Sequence, residues 1–443
     1  MAQGVAVVVL LVLAGTGLAG EQRKASWGKT LEVEVGHEVH VDADGTTRST
    51  RISHDGERIV LEVLVLRPGA TKPKRCRIPG IPKDMGLVGP ASGVSHLATN
   101  PSGAMALTWN AERGDGPEQA WMASAAPGGC FTKAKPMTRR FSFFNGVRVG
   151  DGGTVVAAWT EVGEDPRVAW YATGRAGRPL GKARRFAPGG PTPEAAGVRP
   201  ELIDDDRVLW SWESEGDGPA QRWAATSAPR AGKIGRPLRV HVGTPGEPSM
   251  VWFQILTDAR GGQLAFAGTP DHEPNQRLLI WTRRPGRPFG APRSIPLPGA
   301  HDATGAMNDA GDAVVAVRSG RPLYAIVRRR TGRLGELRRV TAADDPRTVD
   351  AMEAAIDGAG RAAVVWQSRP PERTSNTAIY AAAANPSGQF GLPTNLSGPD
   401  RETFEFPSVA VNARGNVSIT WKPRGYHSRT APKAPLVRGK LTG

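Results

Sequence analysis

The 443-residue chain is short of several things. Aromatic residues make up 6 % of it, and the one long apolar run, Val5 to Ala14, is ten residues, too few to cross a hydrocarbon core about 30 Å thick. No heptad or long helical pattern is present, which excludes coiled coils and helical bundles. There are twelve Lys, none between Lys233 and Lys422, so Arg supplies most of the 57 positive charges. Against 42 Asp and Glu these give a net charge of +15. Such one-sided use of Arg, alongside abundant Ala, Gly and Pro, has the look of a coding bias, so the charge argues for a nucleic-acid partner only where it clusters. Cysteine is confined to Cys76 and Cys130. An oxidising compartment permits them to pair; two free thiols is the alternative.

What the chain has in quantity is Gly, at 55, and Pro, at 38, about a fifth of all residues. That composition points to short strands and many turns. The run Val5 to Ala14 reads as the core of a signal peptide, with small residues at Gly17 and Ala19 and cleavage expected after Ala19. Glu21 stands where a lipidated Cys would follow. The expected organisation is a signal peptide over 1–19, a linker over 20–30 and one domain over 31–443. The mature protein is then secreted, extracellular or periplasmic, with no transmembrane anchor.

The domain is written as a repeat. A turn residue, usually Gly, opens a short apolar run that ends in Trp six positions later: Gly103-AMALT-Trp109, Gly153-TVVAA-Trp159, Asp206-RVLWS-Trp212, Gly360-RAAVV-Trp366 and Gly415-NVSIT-Trp421. Gly262 and Gly311 open copies without the Trp, and the mean period is 52. A second phrase follows each first one, a short strand, a Gly-centred turn and another strand, as in Leu323 to Arg328 and then Gly332 to Val340. Each unit therefore holds about four strands in an antiparallel meander. The anchor runs are apolar at nearly every position, as strands covered on both faces should be. Units this small must stack, and radial closure leaves only short, protected edges. The expected fold is all-β, a β-propeller of four-stranded antiparallel blades. Eight blades follow from the count, with seven clear repeats from about residue 95, a degenerate N-terminal unit, and Leu31 to Val35 latching the ring. Seven blades with an N-terminal extension is the alternative.

The phrase Asp357-Gly-Ala-Gly360-RAAVV-Trp366 and its copies resemble repeat arrays of secreted bacterial β-propellers, and more distantly sialidase-like propellers. The resemblance covers 95–443 and implies a fold, not a chemistry. Ser53-His54-Asp55-Gly56 is the nearest match to a sialidase box, without its later Gly and Trp.

With strands lettered A to D outward from the axis, B–C loops and D–A connectors share one face, and A–B and C–D turns the other. The B–C loops vary in length and are charged, and variable loops on a repetitive scaffold carry binding. Candidate ligand-binding residues are Glu112, Asp115, Glu161, Glu164, Asp165, Glu213, Glu215, Asp217, Asp271 and His272 on an acidic sector. Arg318, Arg369 and Arg424 lie on a basic one. The plainer account is that such loops keep the protein soluble. The recurring Trp is expected to fill the wedge between blades, with sugar stacking the alternative. Asp42-Ala-Asp44-Gly45 departs from the EF-hand pattern and reads as a hairpin turn. Arg139-Arg140, Arg184-Arg185 and Arg338-Arg339 fall on or beside the outermost strand, where charge protects an edge from pairing. No zinc spacing, phosphate loop or nucleophile elbow is found, so no catalytic residue, metal or cofactor is assigned. The sequence thus points to a binding or interaction module for an extracellular protein, a glycan or an anionic cell-surface polymer, without specific nucleic-acid binding. A glycoside hydrolase or polysaccharide lyase is the alternative.

Overall fold

A computed structural model describes residues 25–27, 31–33, 38–55, 58–87, 95–138, 140–162, 168–188, 195–204, 207–214, 221–228, 234–242, 252–269, 276–371, 377–398, 404–423 and 434–442. The expected signal peptide, 1–19, lies outside them. Among the described residues no helix is long and apolar enough to cross a membrane.

The strands form eight antiparallel sheets, the blades of an eight-bladed propeller. Strands A to D of blade I are Val39–Val41, Thr47–Asp55, Arg58–Leu66 and Lys74–Arg77. Blade II splits strand A into Met85–Leu87 and Ser95–Thr99, both paired with strand B, Met105–Arg113; Gln119–Ala125 and Lys135–Pro136 follow. Blade III is Ser142–Val149, Thr154–Glu161, Val168–Arg175 and Arg184–Arg185, and blade IV Ala195–Asp204, Arg207–Ser214, Gln221–Ser227 and Leu238–Val242. Blade V is Phe253–Thr257, Gln263–Gly268, Arg277–Arg283 and Arg293–Pro296, and blade VI Ala300–Met307, Ala313–Ser319, Leu323–Arg328 and Arg338–Arg339. Blade VII is Thr348–Ile356, Ala362–Arg369, Ala378–Ala384 and Thr394–Asn395.

Blade VIII takes Phe404–Val411, Asn416–Pro423 and Ala434–Leu441 from the C-terminal end of the chain and its outer strand from the N-terminal end. Leu31–Val33 pairs with 434–436, as expected of the latch. A second segment, Ala25–Trp27, pairs with 439–441. The sequence reading left it in the linker because three residues carry no readable alternation.

The anchor glycines mark the A–B turns. In blades II and V to VIII an Asp or Asn accepts an amide three residues on with its carbonyl, and one four residues on with its side chain, as Asn100 does from Gly103 and Ala104 and Asp357 from Gly360 and Arg361. The third residue on must take positive φ, 82° at Gly103 and 80° at Gly360, which fixes Gly in the phrase. Asp42-Ala-Asp44-Gly45 is a hairpin turn that keeps the carbonyl half of this pattern, Gly45 donating to the Asp42 carbonyl, while the Thr46 amide donates to the Asp44 carboxylate.

The apolar core lies between blades, each cluster drawing on two neighbours, such as Leu61, Met105 and Trp109 between blades I and II and Val314, Val364 and Trp366 between VI and VII. The anchor tryptophans are buried there, against the opposite residue of strand C: Trp109 on Trp121, Trp212 on Trp223 and Trp366 on Tyr380. That burial leaves no ring face for a sugar. The seam between blades VIII and I is different, with Leu66 and Leu436 as its apolar cluster among the described residues. Hydrogen bonds hold it instead, Thr47 to Ser418 and Arg438 to the carbonyls of Leu66 and Arg67. A Cys76–Cys130 disulfide, Cα–Cα 5.1 Å, ties strand D of blade I to the C–D loop of blade II.

Candidate functional site

The two faces of the ring are built by different rules. The A–B turns of blades II and V to VIII follow one pattern, whereas B–C loops run from 56–57 in blade I, through 114–118 in blade II and 320–322 in blade VI, to 424–433 in blade VIII. Strand A also breaks its pairing near the B–C/D–A face in blades III, IV, VI, VII and VIII. Such a bulge takes a residue out of the strand register and re-aims it. The residues skipped are Asn145 in blade III, His301 in blade VI and Asp350 in blade VII.

Six of the thirteen candidate residues are described, and all lie on this face at the end of strand B or in the loop after it. Glu112 and Asp115 are exposed. Glu112 faces Glu118, whose carboxyl is held above the ordinary carboxylate range by burial first and by that neighbour second. Glu161 accepts the Thr138 hydroxyl at 2.5 Å. Glu213 forms an ion pair with Arg222, whose guanidinium lies over the Phe253 ring at 5.4 Å. Arg369 pairs with Asp350 at 3.1 Å, and Arg318 donates to the carbonyls of Val349 and Asp350. Asp302 lies beside Arg318, and burial raises its carboxyl while Arg318 pulls it down. Glu164, Asp165, Glu215, Asp217, Asp271, His272 and Arg424 lie outside the described residues.

Counting loop charges alone divides this face into acidic and basic sectors, but strands A and C contribute opposite charges that the count omitted. Arg222, on strand C, answers Glu213, and Asp350, on strand A, answers Arg369. The described part of the face is therefore a mosaic of fixed ion pairs with carboxylates such as Glu112 left open to solvent.

Behind it, strand A lines the axis. Four residues before the turn Asx it places Glu38, His96, Gln254, Thr304, Glu353 and Ser408 at one level. Three of them, Glu353, Ser408 and Glu38, cap the free edge of the next blade's strand A. Glu353 accepts from the Val409 amide at 3.0 Å and from the Ser408 hydroxyl, Ser408 accepts from the Val39 amide at 3.3 Å, and Glu38 accepts from the Leu97 amide. Two residres nearer the turn, His40 is desolvated, which lowers its pKa, and Arg148 pairs with Glu201. Enclosure by protein likewise desolvates Glu353, which is only partly exposed, and its pKa rises to about 7. The hydrogen bonds from Val409 and Ser408 only partly offset that penalty. The sequence reading missed this ring because one polar residue per strand has no local signature; aligning the repeats on their turn Asx brings it out.

Among the described residues no group of three or more His, Cys, Asp or Glu is placed to hold a metal ion. The rim arginines stand as expected for Arg184–Arg185 and Arg338–Arg339, which form strand D of blades III and VI. In blade II strand D is Lys135–Pro136, and Arg140 follows it in the D–A connector.

No protein-family model matches the sequence, and no curated protein matches it. Solved structures with a similar backbone include the β-propeller domain of the Trilobed protease from Pyrococcus furiosus, at 8 % identity and TM-score 0.46 over 84 % of this chain and 98 % of that one. The polysaccharide lyase Uly1 is similar at 9 % identity and TM-score 0.45, over 96 % of this chain and 93 % of that one. A Hadza microbial sialidase is similar at 13 % identity and TM-score 0.37, over 73 % of each chain. Likeness of this degree carries no chemistry from those proteins to this one. The β-propeller architecture rests on the eight blades themselves.

Proposed function

We propose that the protein is a secreted binding module that holds a polar extracellular or cell-surface ligand on its B–C/D–A face. The observation that carries this reading is the asymmetry between the faces. In blades II and V to VIII one end closes in near-identical Asx turns, while the other end differs in loop length and charge from blade to blade. A scaffold that needed only to close would have no use for that variation. The ion pairs Arg369–Asp350 and Glu213–Arg222 give the face fixed polar groups, suited to orienting hydroxyls or a small charged group of a glycan, a protein or an anionic polymer.

The test is to screen the purified protein on a glycan and cell-wall array at low and high salt. Binding that survives high salt and falls in Arg369→Ala/Asp350→Ala, but not in the rim variant Arg184→Ala/Arg185→Ala, supports the face. No binding, or binding abolished uniformly by modest salt, overturns it, because only nonspecific attraction would remain.

Glu353 favours a second reading, a glycan-cleaving enzyme. Its carboxyl titrates near 7, the range in which a general acid is both protonated and ready to give its proton up. Glycosidic cleavage by two carboxyls needs a partner about 5 to 9 Å away. Glu38 is a carboxylate at the same level of the axis, and its charge bears on Glu353. Release of reducing ends or unsaturated sugars from array-positive glycans, abolished in Glu353→Gln, would replace the binding reading with this one.

A further inference from the structure

The opposite face carries a cavity that the proposed binding reading does not use. It lies between blades I and II among the A–B and C–D turns and has a volume of about 680 Å³. That is the size of a small-molecule site. One wall is the C–D loop and strand D of blade I, which present Arg67, Lys72 and Lys74 to the cavity. All three are exposed, and among the described residues none of their side chains has a hydrogen-bond or ion-pair partner. The other wall is Gly128 and Gly129, where a Cβ on Gly128 would meet nothing within 4 Å, so the space in front of that backbone is open.

The acidic groups in the cavity do not cancel these cations. Asp42 is engaged by Arg48, with Nε at 2.8 Å and Nη2 at 2.7 Å, so that pair is closed on itself in the floor. Asp44 is exposed and accepts from the Thr46 amide at 2.8 Å and its hydroxyl at 3.0 Å. A carboxylate has about four acceptor directions, so it retains capacity for hydroxyls of a guest. The walls are also fixed relative to each other. Cys76 lines the cavity, and its disulfide partner Cys130 directly follows Gly129, so a covalent bond joins blade I to blade II at the cavity. Preorganisation of this kind spares a ligand the cost of ordering its site.

We propose that this cleft binds a sugar bearing an oxyanion, with the phosphate, sulfate or carboxylate held by Arg67, Lys72 and Lys74 and a hydroxyl by Asp44. Lysines act as point charges toward such a group and Arg as a planar fork, and a tetrahedral or planar oxyanion accepts from both. The site is independent of the B–C/D–A face, so loss of one leaves the other untouched.

Isothermal titration of the full chain tests it, with glucose 6-phosphate, glucose 6-sulfate, glucuronate, glucose and inorganic phosphate as probes at low and high salt. At least one anionic sugar is expected to bind more tightly than inorganic phosphate, and glucose not at all; the tightest of the three names the oxyanion. Lys72→Ala/Lys74→Ala should weaken that sugar at least about tenfold, the loss of one charge-assisted hydrogen bond or more. Asp44→Asn should narrow its advantage over inorganic phosphate, and Arg184→Ala/Arg185→Ala should change nothing. The proposal is overturned if no anionic sugar binds, if inorganic phosphate binds as tightly as the sugars, or if the rim variant loses as much as Lys72→Ala/Lys74→Ala.

Discussion

The Asn412 side-chain amide donates to the Asp42 carbonyl at 2.8 Å, across the seam where blade VIII meets blade I. The two residues are 370 positions apart, and each is the turn residue of its own blade. The same contact runs from Asn100 to Gly150 and from Asn308 to Asp357 between blades consecutive in the chain. At those two seams it supplements an apolar cluster; at the closing seam hydrogen bonds take the larger part. Asn412→Asp keeps the oxygen that caps the Arg414 and Asn416 amides and removes the donor. It should lower stability by about 1 to 2 kcal/mol, read as the urea midpoint at unchanged slope. An unchanged midpoint would mean the seam does not depend on this bond.

The N-terminal latch can be tested from the opposite strand. Gly439 pairs with Trp27, and a Cβ on Gly439 would fall 2.4 Å from the Ser26 carbonyl oxygen, a backbone atom with no freedom to swing away. Gly439→Val should therefore force Ala25–Trp27 off the sheet at a cost of about 1 to 3 kcal/mol. Amide exchange at 25–27 should rise far more than exchange in blades III to VI. Equal exchange in the variant and the parent would show that the segment is not held by this pairing.

Strand B and its Trp could be read because the phrase that holds them recurs along the chain at a mean period of 52. The blade count followed from that period, and so did the B–C loops as the variable end. The pairing of Arg369 with Asp350 could not be read, although they are 19 residues apart, because Asp350 reaches the mouth through a bulge that shifts strand A by one residue. Arg222 and Glu213 face each other in register across a loop whose charges drew attention to Glu213 alone. Glu353 is further from view, since its partners, Val409 and Ser408, belong to the next blade. Hydrogen-bond partners that come from the neighbouring blade, as Val409 does for Glu353, lie beyond any window narrower than a repeat.

The Cys76–Cys130 disulfide closes a loop with a sequence separation of 54, spanning the seam of blades I and II. Constraining an unfolded chain over that length is worth about 4 kcal/mol on the chain-entropy account. Cys76→Ser/Cys130→Ser should lower unfolding stability by about 2 to 4 kcal/mol in urea, and adding reductant should lower the parent toward the variant while leaving the variant unmoved. If reductant shifts neither protein, the thiols are not paired in solution.

Glu353 makes stability depend on pH in the sense opposite to an ordinary salt-bridged carboxylate. Its folded pKa is raised to about 7 from the ordinary glutamate value of 4.5, mainly by desolvation. Between those values the folded chain holds a proton that the unfolded chain has released, so the contribution of this residue is most favourable below pH 4.5 and is lost as pH rises through 7. Glu353→Gln cannot ionise and still offers an acceptor to the Val409 amide. The variant should gain on the parent as pH rises, by at most about 3 kcal/mol once the parent carboxyl is charged. Comparing the two proteins at each pH cancels the carboxylates they share. Urea midpoints measured from pH 4 to pH 8 should therefore diverge upward for the variant. A constant gap would show that Glu353 titrates as an ordinary carboxyl, and a gap that grows in favour of the parent would show that its charged form is the one the axis stabilises.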